Sequence, residues 1–145
     1  MRHNILLIDD SPTDAAILVA AFEEIGYAGD ILVAQNGVEA IDMLDEISHH
    51  NPTEWPQLIL LDLNLPRKTG LEVLEDIKTH PTWKSIPTVI LSSSSSTNDV
   101  NRSYQRHANA YIAKPRQLEH YEMLAKQLHT FWLGSAELPQ TAIAK

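Results

Sequence analysis

The sequence predicts an α/β domain: a doubly wound five-stranded parallel sheet of order 2-1-3-4-5, with a helix after each strand, (βα)5. Three observations predict it. The runs Ile5-Leu6-Leu7-Ile8, Leu58-Ile59-Leu60-Leu61 and Val89-Ile90-Leu91 are apolar at every position. A strand with one wet face would alternate, so these runs suit strands covered on both faces. Segments of helical period separate them, and strict alternation with right-handed crossovers gives a parallel sheet. Acidic or polar residues recur where the apolar runs stop, the edge at which such sheets bind ligands.

Each element follows in turn. The first strand, residues 5–8, comes directly after Met1-Arg2-His3-Asn4, which has no signal-peptide pattern. Ser11-Pro12-Thr13-Asp14 opens the first helix as a capping box with Pro at N1. Ala16, Val19, Ala20 and Ile25 stripe that helix, and Gly26 closes it as the C′ residue. Residues 30–34 are a second strand, after which the Asn36-Gly37 turn opens a helix striped by Val38, Ile41, Leu44 and Ile47. A long connection with two prolines, residues 50–56, leads to the third strand. Leu71, Leu74 and Ile77 mark a helix that ends before Pro81. The serine run 92–96 is a loop between the fourth strand and the polar, weakly patterned segment 97–107. Residues 110–113 are the fifth strand. From Leu118 onward, Tyr121, Leu124, Ala125, Leu128, Phe131 and Trp132 give the last helix a strong apolar face. One domain thus fills residues 1–133, and residues 134–145 form a loosely held tail.

Composition narrows the function. The 145 residues carry 11 Lys+Arg against 19 Asp+Glu, a net charge of −8 that repels a nucleic-acid backbone and also serves solubility. The absence of Cys excludes disulfides, thiolate nucleophiles and Cys-built zinc sites, and fits a reducing cytoplasm. No apolar run approaches the length of a membrane span. The seven His residues include His49, His50, His80 and His107 in loops or on polar faces, and His120 and His129 on the solvated side of the last helix. None has metal-ligand spacing.

The strand ends are the informative places. Asp9-Asp10 follows the first apolar run, Asp62 the third, Ser92 the fourth and Lys114 the fifth. Parallel strands point their carboxyl ends to one edge, so three carboxylates converge with a hydroxyl and an ammonium nearby. Their mutual repulsion calls for a cation, and an all-oxygen site favours Mg²⁺ or Mn²⁺. Such an ion keeps exchangeable waters and can accept a phosphoryl oxygen. Lys114 would offset charge on that group and Ser92 would donate to it. Each residue also has a plainer use. A strand-end Asp serves in turns, Pro115 stops a strand, and capping accounts for Ser11 and Asp14 while leaving Asp9 and Asp10 unexplained.

Five motifs in order carry a family resemblance: Ile8-Asp9-Asp10, Leu61-Asp62-Leu63-Asn64-Leu65-Pro66, Gly70-Leu71, Ile90-Leu91-Ser92 and Tyr111-Ile112-Ala113-Lys114-Pro115. From residue 4 to 133 the chain resembles the receiver domain of two-component response regulators, the CheY-like fold. The resemblance implies that Asp62 accepts a phosphoryl group from a histidine of a sensor kinase. It implies a Mg²⁺ or Mn²⁺ ion held by Asp10, Asp62 and the backbone carbonyl of Asn64, with Asp9 acting largely through water. Positioning and charge neutralisation would do most of the catalysis, and the domain would act as a timed switch rather than a metabolic enzyme. Phosphorylation would draw Ser92 inward, Tyr111 would turn into the vacated space, and the surface of helix 4, strand 5 and helix 5 would change. Tyr111 alone also reads as a half-buried strand aromatic.

This chain has Ser93 where the family has a small residue, and Ser93 competes with Ser92 as donor. The Leu-Asn-Leu-Pro-Arg-Lys stretch, the Tyr111 region, Thr130-Phe131-Trp132-Leu133 and Leu138-Pro139 resemble single-domain regulators paired with bacterial and cyanobacterial phytochrome kinases. That resemblance implies a homodimer through helix 4, strand 5 and helix 5, unless the tail folds back over that surface. Nothing after Leu133 suits a helix-turn-helix, so a nucleic-acid output is not expected. Other classes fit less well. An aspartyl-phosphate hydrolase would want an acid/base where Asn64 stands. A flavin binder would want a phosphate-cradling loop where Asp9-Asp10 stands. A pseudo-receiver that binds partners without phosphorylation remains the alternative.

Overall fold

The computed structural model describes residues 4–50 and 55–139. Its elements run β1 (Asn4–Ile8), α1 (Pro12–Glu24), β2 (Asp30–Ala34), α2 (Gly37–His50), β3 (Leu58–Leu61) and α3 (Gly70–Thr79). They continue with β4 (Thr88–Ser92), α4 (Thr97–Gln105), β5 (Ala110–Ala113) and α5 (His120–Thr130). The five strands form one parallel sheet in the order β2-β1-β3-β4-β5, as expected. Two short pieces were not expected, a 3₁₀ turn at Trp83–Ser85 and a π turn at Phe131–Ser135 continuing α5.

The unbroken apolar runs are explained by the two-sided cover. Successive residues of a strand point to opposite faces. Leu6, Ile8, Ile59, Leu61 and Ile90 pack with Leu44 of α2 and Val73, Leu74 and Ile77 of α3. Ile5, Leu7, Leu58, Leu60, Val89 and Leu91 pack on the other face with Leu18 and Phe22 of α1 and Tyr121, Leu124 and Leu128 of α5.

Helix ends are set by local chemistry. Gly26 is the C′ residue of α1 at φ 84°, where Tyr27 N–H donates to Phe22 O and Gly26 N–H to Glu23 O, both at 3.0 Å. The Tyr27 and Phe22 rings meet edge to face at 5.4 Å, completing a Schellman motif with its hydrophobic contact. Asn36 caps α2, accepting from Glu39 N–H at 2.8 Å, and Thr69 and Glu72 form a reciprocal capping box on α3. Ser96, the last of the serine run, caps α4 by accepting from Asp99 N–H at 3.1 Å.

Three expectations need correction. The core face of α1 is Ala15, Leu18, Ala21 and Phe22; Ala16 and Ala20 are exposed, because α1 leans on α5 through a different stripe. Leu118 precedes α5 and is 69% exposed, while Phe131 is 55% exposed, so the buried face of α5 is Tyr121, Leu124, Ala125 and Leu128. His129 is half-buried and meets the Tyr27 ring edge to face instead of lying on the solvated side. Of the tail, Leu138 lies against the α1–α5 layer and Pro139 lines a cleft with Trp55 and Pro87, while Gly134, Ser135 and Glu137 are exposed. Its residues 140–145 and most of the expected long connection, residues 51–54, lie outside the described residues, as does His3.

Candidate functional site

The site forms at the carboxyl edge of the sheet, where order reverses between β1 and β3. Asp9 follows β1 directly; its N–H donates to Ala34 O at 3.0 Å, and its Oδ1 accepts from Ser11 N–H at 2.9 Å. Asp62 follows β3; its N–H donates to Ile8 O at 2.9 Å, and its Oδ1 accepts from Asn64 N–H at 3.2 Å. Both strand ladders therefore continue into the two acids and fix them side by side. Asp9 and Asp62 are 3% and 4% exposed, whereas Asp10 faces solvent. One carboxylate oxygen from each of Asp9, Asp10 and Asp62 lies within 4.8 Å of the others. The expected convergence of these three is observed.

Lys114 arrives from β5, its N–H donating to Ser92 O at 2.8 Å. Its buried ammonium reaches Asp9 Oδ2 at 2.8 Å, Asp62 Oδ2 at 2.9 Å and Asp14 Oδ2 at 3.0 Å. Burial alone would lower the Lys114 pKa, but hydrogen bonds to Asp9, Asp62 and Asp14 win and hold it above the ordinary lysine value. Asp9 shows the opposite balance: burial raises its carboxyl, only partly offset by the Lys114 bond and the Ser11 N–H. Three carboxylates thus share one ammonium, and Asp10 adds a fourth negative group beside Asp9 and Asp62. An open, all-oxygen, negatively charged set of this kind suits a hard divalent cation.

Asp14 serves the expected cap only in part. Its N–H donates to Ser11 Oγ at 3.2 Å, but its carboxylate turns to Lys114, and Ser11 N–H goes to Asp9 instead. The partners are 100 positions apart in the chain, so no local signal showed the contact.

Ser92 ends β4 fully buried, whereas Ser93 is exposed. Ser92 Oγ accepts from Ser94 N–H at 3.3 Å. Ser94 is a junction the sequence reading missed: its hydroxyl donates to Asp99 of α4 at 2.6 Å, and its carbonyl accepts from Tyr111 Oη at 2.7 Å. Tyr111 is half-buried, and its N–H donates to Tyr104 Oη at 3.1 Å. The two expected switch residues are thus joined through Ser94. Gly70 stands where a side chain could not, since a Cβ would run into Asp62 O and the Leu63 backbone. Among the other histidines, His80 stacks on Trp83 at 3.8 Å and accepts from two backbone N–H groups, a structural use.

Residues 5–126 match the response regulator receiver domain family. The chain belongs to this family. The receiver domain is 36% identical over 135 residues to the response regulator Rcp1 of Synechocystis sp., spanning 93% of this chain and 92% of that protein. It is also similar to the phosphorylated cyanobacterial phytochrome response regulator RcpA, with TM-score 0.88 and 37% identity across 96% of this chain and 99% of the other. The Mn²⁺-bound form of Rcp1 gives TM-score 0.84 and 35% identity across 94% of this chain and 99% of the other. The receiver domain's expected fold, strand order and family stand confirmed.

Proposed function

We propose that this chain is a two-component phosphorelay response regulator in which Asp62 accepts a phosphoryl group from a sensor-kinase phosphohistidine. The observation that carries it is the buried Asp62 carboxylate, fixed beside Asp9 and Asp10 with Lys114 Nζ 2.9 Å away. An Asp62 oxygen attacks phosphorus as the P–N bond to the histidine breaks, and the leaving imidazole takes up a proton. Lys114 neutralises charge on the transferred group, and the Ser92 hydroxyl donates to one of its oxygens. Asp9, Asp10, Asp62 and the Asn64 carbonyl would hold Mg²⁺ or Mn²⁺; bound there, the ion supplies charge neutralisation to the phosphoryl oxygens. The domain catalyses its own phosphorylation and slow dephosphorylation and performs no metabolic reaction.

The likeness to RcpA supports a phytochrome as the partner kinase. The Ser92–Ser94–Tyr111 chain of bonds supports Ser92 and Tyr111 as the switch. Exposed Tyr104, Leu118, Met123 and Phe131 support a homodimer through α4, β5 and α5. The receiver domain is assigned to residues 1–133 and the appended segment to residues 134–145. A cytoplasmic place fits a chain in which, among the described residues, no helix is long and apolar enough to cross a membrane.

Intact-mass analysis after incubation with acetyl phosphate and Mg²⁺ tests the reading. A Mg²⁺-dependent gain of about 80 Da, one phosphoryl group on an aspartyl nucleophile, is expected and must vanish in Asp62→Asn. No gain in the wild type, with no beryllofluoride binding, overturns the reading in favour of a pseudo-receiver.

A further inference from the structure

We propose that Asp14 is a positioning residue that occupies one N–H of Lys114 in the resting domain and yields it when a phosphoryl group arrives. The inference rests on the reading of Asp62 as phosphoacceptor and concerns what limits uptake at that site.

An ammonium has three N–H donors and no more. Here all three are committed, to Asp9 Oδ2, Asp62 Oδ2 and Asp14 Oδ2, at 2.8, 2.9 and 3.0 Å. A phosphoryl oxygen on Asp62 can bond Lys114 only by displacing one of them. The three carboxylates are not equally free to leave. Asp62 is 4% exposed and its Oδ1 accepts from Asn64 N–H, so its carboxyl stays where it is beside Lys114 as it takes up the group. Asp9 is 3% exposed and its Oδ1 is pinned by Ser11 N–H, so its carboxylate has no room to turn away and water cannot take the place of Lys114 around it. Asp14 stands in the first turn of α1, which its N–H caps through Ser11 whatever its carboxylate does. Its side chain is 36% exposed, so water can replace Lys114 around it at little cost. Asp14 is therefore the ligand that leaves. It keeps the Lys114 ammonium satisfied and in place while the site is empty, and it competes with the phosphoryl group once the site is filled.

Beryllofluoride in excess Mg²⁺, followed by ¹⁹F NMR, tests this without covalent chemistry. Asp14→Asn should bind beryllofluoride more tightly, by about two- to fivefold, the range of a partly exposed ion pair. The same variant should raise kcat/KM for acetyl phosphate in similar proportion. In a Lys114→Ala background the Asp14→Asn gain should disappear. Unchanged or weaker binding by Asp14→Asn overturns the proposal. So does a gain that survives in Lys114→Ala, because it then reflects only the loss of one negative charge. Should Lys114→Ala fail to fold, hydrogen exchange of the ¹⁵N-labelled Lys114 ammonium replaces it. Asp14→Asn must speed that exchange in the resting domain and leave it unchanged in the beryllofluoride-bound one; any other pattern overturns the proposal. A wild type that binds beryllofluoride, with loss in Asp62→Asn, keeps the phosphoacceptor reading intact whatever Asp14→Asn does. A wild type that binds none sinks both.

Discussion

At Asp9, burial and attraction pull against each other, and burial wins: the carboxyl is raised despite the Lys114 bond. The folded domain therefore holds this proton more tightly than the unfolded chain. Stability contributed by the group is greatest below the ordinary value of 3.8 and is lost as pH rises through the raised folded value. Asp9→Asn should be more stable than wild type near neutral pH in chelator, and urea unfolding should show the advantage narrowing as pH falls. The acids and Lys114 were legible because each ends an apolar run, and parallel strands bring such ends to one edge. Asp14 was not, because its position in the first turn of a helix already had a sufficient local explanation, and its ion pair is made with a residue just past β5, 100 positions away.

Among the elements, two glycines make contrasting demands. Gly26 needs only its left-handed φ of 84° and open space around it, so Gly26→Ala should cost about 1–2 kcal/mol of stability. Gly70 needs room: a Cβ there would press on Asp62 O and the Leu63 backbone, with Leu63 O at 2.9 Å. Overpacking of this kind costs about 1–3 kcal/mol, and Gly70→Ala should also slow phosphoryl uptake by shifting the Asp62 loop, whereas Gly26→Ala should not. Chemical unfolding and acetyl phosphate kinetics on the two variants check the distinction. Lys78 ties α3 to the β4 and β5 entries, donating to Lys84 O at 3.0 Å, Ile86 O at 2.9 Å and Asn109 Oδ1 at 3.0 Å. Burial pulls its pKa down to about 8 from an ordinary 10.5. Between these values the unfolded chain binds the extra proton, so this group makes stability rise with pH across that window. Comparing wild type with Lys78→Met from pH 7.5 to 10 should show the rise only in the former. The buried face of α1 differs from the expected stripe for a reason at this scale. Its sequence is apolar nearly all round, and only contact with α5 selects the Ala15, Leu18, Ala21 and Phe22 stripe.

For the whole molecule, the surplus of carboxylates at one edge couples stability to a cation. A divalent ion that binds only the folded chain adds about 2.7 kcal/mol at a concentration of 100 times Kd. Mg²⁺ should therefore raise the thermal midpoint relative to chelator, and Asp10→Ala, which removes an exposed member of the cluster, should blunt the rise. Exposed Met123 and Phe131 flank a groove along α5 with Lys126 and Thr130. If this surface pairs two copies, sedimentation should show association into the micromolar range, weakened by Phe131→Asp.

The sequence by itself determined the five strands, their order and the identity of the acids and lysine at their ends. These are properties of period and position: an unbroken apolar run must be covered twice, and a polar residue after it must emerge at the sheet edge. Even small boundaries followed, such as β2 and β5, because turn and cap residues act within a few positions. Tertiary structure alone decided which stripe of α1 is buried, that the domain's own core leaves Leu118 and Phe131 uncovered, and that Leu138 meets the α1–α5 layer. It alone decided that Ser94 joins Ser92 to Tyr111 and that Asp14 completes the shell of Lys114. Those outcomes depend on contacts between segments far apart in the chain, whose distances no local pattern encodes.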